Sequence, residues 1–304
     1  MSAPIALIPA YVAPNAPDVV AYGDEELAPE LLAACGFFTP HYMGWEPNVP
    51  LMERMPRLRC VQLLTAGYEY AVQFLPEGVT LSNAVGVHDA GTAELAVGLI
   101  IARLREIDSA ARAMTTGSWL HGPRTSLADR RVLVIGAGGV GSAIARRLES
   151  FETSVQLVAR TRRGGIASID ELPTLLPDAD IVVLAVPHTP QTDGLVDAAF
   201  LARMRDGALL VNVARGPVVR TDDLVAALAS GRIHAALDVT DPEPLPADHP
   251  LWSCPNTLIT GHIGGNTTSF PPRATALLER QLDRWRAGEP LAHVVATGGD
   301  PQAG

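Results

Sequence analysis

Cysteine is scarce in this chain. Only Cys35, Cys60 and Cys254 occur, odd in number and far apart, which excludes a disulfide framework and any CxxC metal motif and points to a reducing, cytoplasmic setting. Positive charge is also short, with 23 Lys and Arg against 33 Asp and Glu for a net charge of −10. A protein so acidic lacks the electrostatic footprint of nucleic-acid binding, and it must capture any anionic ligand with local cations. No apolar run approaches the ~18 residues that cross a bilayer. Residues 1–10 have no basic flank and contain Pro4 and Pro9, so neither a membrane span nor a leader peptide is expected. His41, His121, His188, His234, His249 and His293 show no metal-ligand spacing, and no metal site is expected. A nucleophile motif of the G-x-S-x-G kind is missing too, which argues against a hydrolase.

What the chain does have is apolar material, 47% of 304 residues, enough for the cores of two ordinary domains. From Leu127 onward, short apolar runs alternate with helical patterns, the rhythm of a parallel sheet covered on both faces. Six strands are expected there, at 131–135, 155–159, 181–186, 208–213, 233–237 and 257–260. Thr221 is expected to cap a helix over 222–230, with acidic residues in its first turn and Gly231 just past its end. The first ninety residues repeat the rhythm more loosely, with runs at 5–8, 19–22, 59–64 and 79–81. An alanine-rich helical segment over 91–114 is expected to lie between the two parts, and a last helix over 273–287, ending at Gly288, to return to the first. The fold class expected is therefore α/β, with doubly wound, Rossmann- or flavodoxin-like parallel sheets in two domains. The first would be discontinuous, 1–91 plus 270–304, and the second would span 92–269.

A glycine-rich turn joins the first strand of the second domain to the helix after it, reading Gly136-Ala-Gly138-Gly139-Val140-Gly141. In that context G-x-G-x-x-G is a dinucleotide signature. Gly136 allows the tight turn, Gly138 lets the backbone approach a pyrophosphate, and Gly141 lets helix and strand pack closely. Free amides at the helix start favour the phosphate charge. An NAD-binding domain usually places an acidic residue about 20 residues beyond this loop, on the ribose hydroxyls. Here that position holds Arg160, followed by Thr161, Arg162 and Arg163. Guanidinium groups suit a 2′-phosphate, so NADP(H) is the expected cofactor, with NAD(H) possible.

Polar residues gather where the expected strands end: Arg160 after the second, Pro187-His188-Thr189-Pro190 after the third, Ala214-Arg215-Gly216 after the fourth, Asp238 after the fifth and His262-Ile-Gly264-Gly265 after the sixth. Ligands of an open parallel sheet collect on that rim. Three stretches carry a resemblance, Asn212-Val-Ala-Arg215-Gly-Pro-Val-Val219, Ala236-Leu-Asp238-Val-Thr-Asp-Pro-Glu243-Pro-Leu245 and Thr260-Gly-His262-Ile-Gly-Gly265. Together with the glycine loop they resemble the D-isomer-specific 2-hydroxyacid dehydrogenases. The part before the glycine-rich domain matches only loosely, mainly at Leu64-Thr-Ala-Gly67 and at Thr92-Ala-Glu94.

That resemblance implies a two-lobed homodimer working on a small 2-oxo or 2-hydroxy acid, in which Arg215 anchors the substrate, His262 is the acid/base and Glu243 its partner. It implies further that Ala66 and Gly67 hold the substrate carboxylate, and that Gly136, Gly138, Gly139, Val140, Gly141, Arg160, Thr161, Arg162, Val186, Pro187, Thr192, Val213, Ala214, Asp238 and Gly264 line the dinucleotide. The chemistry is coherent, because a permanently charged fork can polarise a carbonyl and an imidazole can give and take a proton near neutrality. An ionised Glu243 bonded to the ring would favour its charged form. Within the family, the chain's end at Gly304 argues against phosphoglycerate dehydrogenases with an added effector domain, and Glu243 argues against the formate branch, which carries glutamine there. Glyoxylate or hydroxypyruvate is the expected substrate. The alternative is a catalytically silent nucleotide-sensing protein of the same fold, and retention of Arg215, Glu243 and His262 argues against it. His88, just before the alanine-rich segment, is expected to be an ordinary loop residue, the alternative being that it faces the cleft between the lobes.

Overall fold

A computed structural model describes residues 4–43 and 48–299, so Met1 and Gly304, the outer limits of the expected domains, lie outside the described residues. The chain divides into two units, Met1–His88 with Thr268–Gly304, and Asp89–Thr267. The divisions fall two or three residues before those drawn from the sequence.

The first unit holds β1 (Ile5–Pro9), β2 (Val19–Tyr22), β3 (Cys35–Phe38), β4 (Cys60–Gln62) and β5 (Thr80–Ser82), joined by the C-terminal strand Val294–Thr297. Spatially they run from the C-terminal strand through β5, β4, β3 and β1 to β2. This is the flavodoxin-like order with one antiparallel strand added at the edge. β3 and the C-terminal strand were missed by the apolar-run reading. The segment Cys-Gly-Phe-Phe follows the helix Pro29–Ala34 without a turn signal, yet all four residues are buried. Gly36 is accommodated because the Trp285 ring sits over it, and Phe37 packs on the same ring with centroids 5.7 Å apart.

Trp285 belongs to the last helix, Phe270–Ala287, which begins three residues earlier than expected and ends at Gly288 with φ 68°. Phe270, Ala274, Leu277, Leu278 and Leu282 form its apolar stripe and join Ala6, Ile8, Phe37 and Leu64 in one core. Each large side chain so buried contributes about 1.5–3 kcal/mol. The return of this helix to the first unit is as expected.

The second unit is a seven-stranded, all-parallel sheet: β6 (Arg131–Ile135), β7 (Ser154–Ala159), β8 (Ala167–Ser168), β9 (Ile181–Leu184), β10 (Leu209–Asn212), β11 (His234–Leu237) and β12 (Thr257–Ile259). The six expected strands are present, and the two-residue β8 is the addition. Their order, β8-β7-β6-β9-β10-β11-β12, reverses between β6 and β9. That is the dinucleotide-binding order, and its crevice opens beyond the carboxyl ends of β6 and β9.

Two local expectations need correction. The alanine-rich segment is two helices, Asp89–Leu104 and Ile107–Met114, broken at Glu106, whose φ is 51°. The left-handed residue turns the chain back so that buried Asp108 meets buried Arg103 at 2.6 Å, with Arg112 on the same carboxylate oxygen at 2.8 Å. An uncompensated charge there would cost several kcal/mol, so the pairing fixes the break. Thr221 is not the cap of its helix. It is the first helical residue of Thr221–Ala229, preceded by extended Arg220, and its hydroxyl donates instead to the carbonyl of Asp241 at 2.7 Å. Gly231 does take a positive φ just past the end, at 71°.

Candidate active site

The glycine loop leaves β6 and enters the helix Gly139–Glu149. Gly136 has φ 117°, and a Cβ on Gly141 would collide with the carbonyl oxygen of Gly136, so the turn and the close helix approach both require glycine. Gly138 differs, because a Cβ there would meet nothing within 4 Å. It is the N-cap of the helix, and no side chain caps the first-turn amides. Uncapped amides beside open space are what a pyrophosphate needs, so these residues fit a dinucleotide. The carboxylate of Asp89 lies against Gly139, a neighbour fifty residues away that no local pattern signals.

At the end of β7, Arg160, Thr161, Arg162 and Arg163 are all exposed. The two arginines expected to read a 2′-phosphate are not equivalent. Arg162 is held side-on by Glu171, through Nε at 3.1 Å and through Nη2, and the same carboxylate accepts the Ser168 amide at 2.7 Å. The guanidinium holds the Glu171 carboxyl below its ordinary range. Arg160 makes no ion pair among the described residues. After β9, the Thr192 hydroxyl closes the 187–192 turn, donating to Pro187 O at 2.7 Å and accepting the Thr189 amide at 2.8 Å. Val186 lies half-buried and Pro187 exposed at that turn.

β10 delivers Arg215. Asn212, buried at its end, frames the turn with both halves of its amide: Oδ1 accepts from the Ala214 amide at 3.0 Å and Nδ2 donates to Arg215 O at 3.0 Å. Val213 and Ala214 are buried, so backbone is what they can present. The half-buried Arg215 turns Nη1 onto Ala214 O at 2.7 Å and, among the described residues, makes no ion pair. Its charge is therefore available to an anion.

β11 and β12 deliver the other two. Glu243 Oε1 lies 2.5 Å from His262 Nδ1, with the side chains 37% and 26% exposed. This is the one direct contact among the three expected catalytic residues. It orients the ring and leaves Nε2 without a bond among the described residues. His262 has φ 53°, a conformation that costs a non-glycine residue and persists only where the surroundings impose it. Asp238 imposes it. Its buried carboxylate accepts from Thr260 Oγ1 at 2.7 Å and the Ile263 and Gly264 amides at 2.9 Å each, while its own carbonyl accepts the His262 amide at 2.8 Å. Asp238 therefore holds the loop that carries the imidazole. Asn212 and this use of Asp238 were not read from the sequence, although each stands beside a motif residue.

In the first unit, the loop after β4 carries Ala66 and Gly67. Their carbonyls are turned inward, Ala66 O accepting from Asn83 Nδ2 and Gly67 O from Thr65 Oγ1, both at 2.7 Å. Neither amide of the pair donates to protein among the described residues. His88 is buried with Nε2 2.6 Å from Leu64 O, at the base of the same loop.

Residues 97–264 match the family model described as the D-isomer specific 2-hydroxyacid dehydrogenase NAD binding domain. A glyoxylate reductase of Thermofilum pendens is 34% identical over 80% of this chain and 76% of its own length. A glyoxylate reductase/hydroxypyruvate reductase of Homo sapiens is 34% identical over 77% of this chain and 76% of its own. Among solved structures, a D-isomer specific 2-hydroxyacid dehydrogenase of Xanthobacter autotrophicus, in complex with NADPH and MES, is 30% identical and superposes with a TM-score of 0.80 over 97% of this chain and 98% of its own. This chain belongs to the D-isomer specific 2-hydroxyacid dehydrogenase family and is an NAD(P)-dependent oxidoreductase of 2-hydroxy and 2-oxo acids.

Proposed function

We propose that the chain is an NADPH-preferring reductase of a small 2-oxo acid, glyoxylate or hydroxypyruvate, with Arg215, Glu243 and His262 as its catalytic residues. The observation that carries the reading is the Glu243–His262 contact, which fixes Nδ1 and leaves Nε2 to face a substrate. When bound, the nicotinamide supplies or accepts the hydride at the substrate's C2. His262 Nε2 donates the proton to the oxygen developing negative charge and takes it back in the oxidative direction. Glu243 holds the ring's orientation through Nδ1. Arg215 polarises the carbonyl and pairs with the carboxylate, and its charge persists at any working pH. In the first unit, the unbonded amides of Ala66 and Gly67 are suited to the carboxylate as well.

The substrate names rest on the relatives called glyoxylate and hydroxypyruvate reductases. Asp238 and the glycine loop, with Val140, Gly264 and the strand-end residues already described, would line the dinucleotide. Preference for NADPH is supported by Arg160, exposed and unpaired where an acidic residue would serve NAD, and by the NADPH complex of the Xanthobacter relative. The test is consumption of reduced nicotinamide with a panel of 2-oxo acids and both cofactors. It is expected to show substrate-dependent turnover on glyoxylate or hydroxypyruvate, with kcat/KM for NADPH about tenfold or more above NADH. Better kcat/KM with NADH contradicts the preference, and cofactor binding without turnover would favour the nucleotide sensor.

A homodimer completes the proposal. Ile107, Met114, Trp119 and Leu120 are exposed in and just after the helix Ile107–Met114, and so much apolar surface in one stretch suits a protein interface. Sedimentation is expected to give twice the chain mass, and a monomer at micromolar concentration contradicts it. No helix among the described residues is long and apolar enough to cross a membrane. The free thiols of Cys35, Cys60 and Cys254 suit the cytoplasm, which cell fractionation checks.

A further inference from the structure

Polar side chains are costly inside a core unless every donor and acceptor is matched, and the first unit buries several. Gln62 and Gln281 are completely inaccessible, and Asn83 and Thr65 are nearly so. The three amides form one directed chain, in which Asn83 Oδ1 alone is buried without a partner among the described residues. Gln281 is pinned at both ends by the backbone of Ala292, donating Nε2 to its carbonyl and accepting its amide on Oε1, each at 2.9 Å. Its second Nε2 proton goes to Gln62 Oε1 at 2.6 Å. Gln62 spends both its protons on backbone, Leu63 O at 2.9 Å and Asn83 O at 3.0 Å. Asn83 Nδ2 then donates to Ala66 O at 2.7 Å.

Both protons of each glutamine Nε2 are thus assigned, so neither side chain can flip without breaking a bond. The chain of bonds ends on the one carbonyl whose direction decides where the Ala66–Gly67 peptide points its N–H. The preceding Thr65–Ala66 peptide is set by the Thr65 carbonyl, which receives the Ala84 amide at 2.8 Å, while the Thr65 hydroxyl, shared with that of Tyr70 at 2.8 Å, donates to Gly67 O at 2.7 Å and closes the loop. With the carbonyls of Thr65 and Ala66 both engaged, the amides of Ala66 and Gly67, which share their peptide planes and donate to no protein group among the described residues, are left for a ligand.

We infer that Asn83, backed by Gln62 and Gln281, is a positioning residue for the substrate carboxylate. It acts through the Ala66–Gly67 peptide and touches neither substrate nor cofactor. The inference rests on the reading of that loop as a carboxylate site. A structural network serving stability alone would be met as well by apolar side chains of similar shape. What favours positioning is that the oriented chain terminates on a surface loop carrying unbonded donors.

The test compares wild type, Asn83→Ala, Asn83→Ser and Gln62→Leu, each with NADPH and with a 2-oxo acid and its methyl ester. Asn83→Ala is expected to raise KM for the acid about tenfold, the loss of one hydrogen bond's worth of orientation. Turnover at saturation and the KM for NADPH should stay within about twofold, and preference for acid over ester should shrink. Gln62→Leu should move KM the same way, and the double variant should cost less than the two singly, because both act on one chain. Asn83→Ser, which keeps a hydroxyl donor, serves where Asn83→Ala fails to fold and should fall between it and wild type. Folded Asn83 variants that keep the acid KM and the acid preference overturn the positioning role. A wild-type enzyme that turns over the ester as well as the acid overturns the carboxylate reading of the loop, and this inference with it.

Discussion

Replacing His262 by glutamine lowers kcat by about 100-fold or more, the usual scale for a general acid/base, while dinucleotide affinity stays close to wild type. Glutamine keeps a hydrogen-bonding group in the same direction but cannot give up and regain a proton. The ring's Nδ1 is committed to Glu243 at 2.5 Å, so Nε2 is the atom whose loss is felt. The loop itself should survive the change, because Asp238 holds it through the hydroxyl of Thr260 and the backbone amides of His262, Ile263 and Gly264, not through the imidazole. Stopped turnover with intact binding is therefore the expected pattern, read from steady-state kinetics beside fluorescence titration of NADPH. A His262→Gln enzyme with full kcat would remove the imidazole from the chemistry.

Arg215→Lys is expected to lower kcat/KM for the 2-oxo acid by roughly 100- to 1,000-fold, the range for losing one preorganised donor to a developing oxyanion. The charge is kept and the geometry is lost. Arg215 steadies its guanidinium by spending one nitrogen on Ala214 O and still has donors on its other edges, whereas an ammonium is a flexible point charge with no fork. The Asn212 amide holds the turn through backbone atoms, so thermal unfolding should be little changed. A lysine variant within about threefold of wild type in kcat/KM would mean that the bidentate geometry is not used.

The second unit was largely readable from residues alone because its signals are local. Each of its strands except β8 is an apolar run bounded by a turn, and the glycine loop, Arg215, Glu243 and His262 sit at strand ends where topology sends ligands. The first unit was less readable because its determinants are distant. β3 needs Trp285 from the far end of the chain to cover Gly36, and the C-terminal strand pairs antiparallel with β5 across most of the sequence. Neither leaves a trace in a short window. The break at Glu106 follows from the Arg103–Asp108 pair, which no helical periodicity reveals. Thr221 looked like a cap because threonine before an acidic turn usually is one, and a tertiary acceptor, Asp241 O, took its hydroxyl instead. Asp238 stood out in the sequence as a polar residue at a strand end, but only coordinates show that both its oxygens are spent on the loop of His262. The amide chain from Gln281 to Ala66 was invisible for the same reason: glutamine in a helix reads as a solvated residue until its partners are known.

Catalysis as proposed needs an imidazole and a guanidinium to meet at one carbonyl. A crystal structure of the enzyme with NADPH and oxamate, an unreactive 2-oxo acid mimic, tests it most directly. His262 Nε2 and an Arg215 nitrogen are both expected within roughly 3.2 Å of the mimic's carbonyl oxygen, with the nicotinamide face against the adjacent carbon. Either side chain lying farther away than a single bridging water can span contradicts the account.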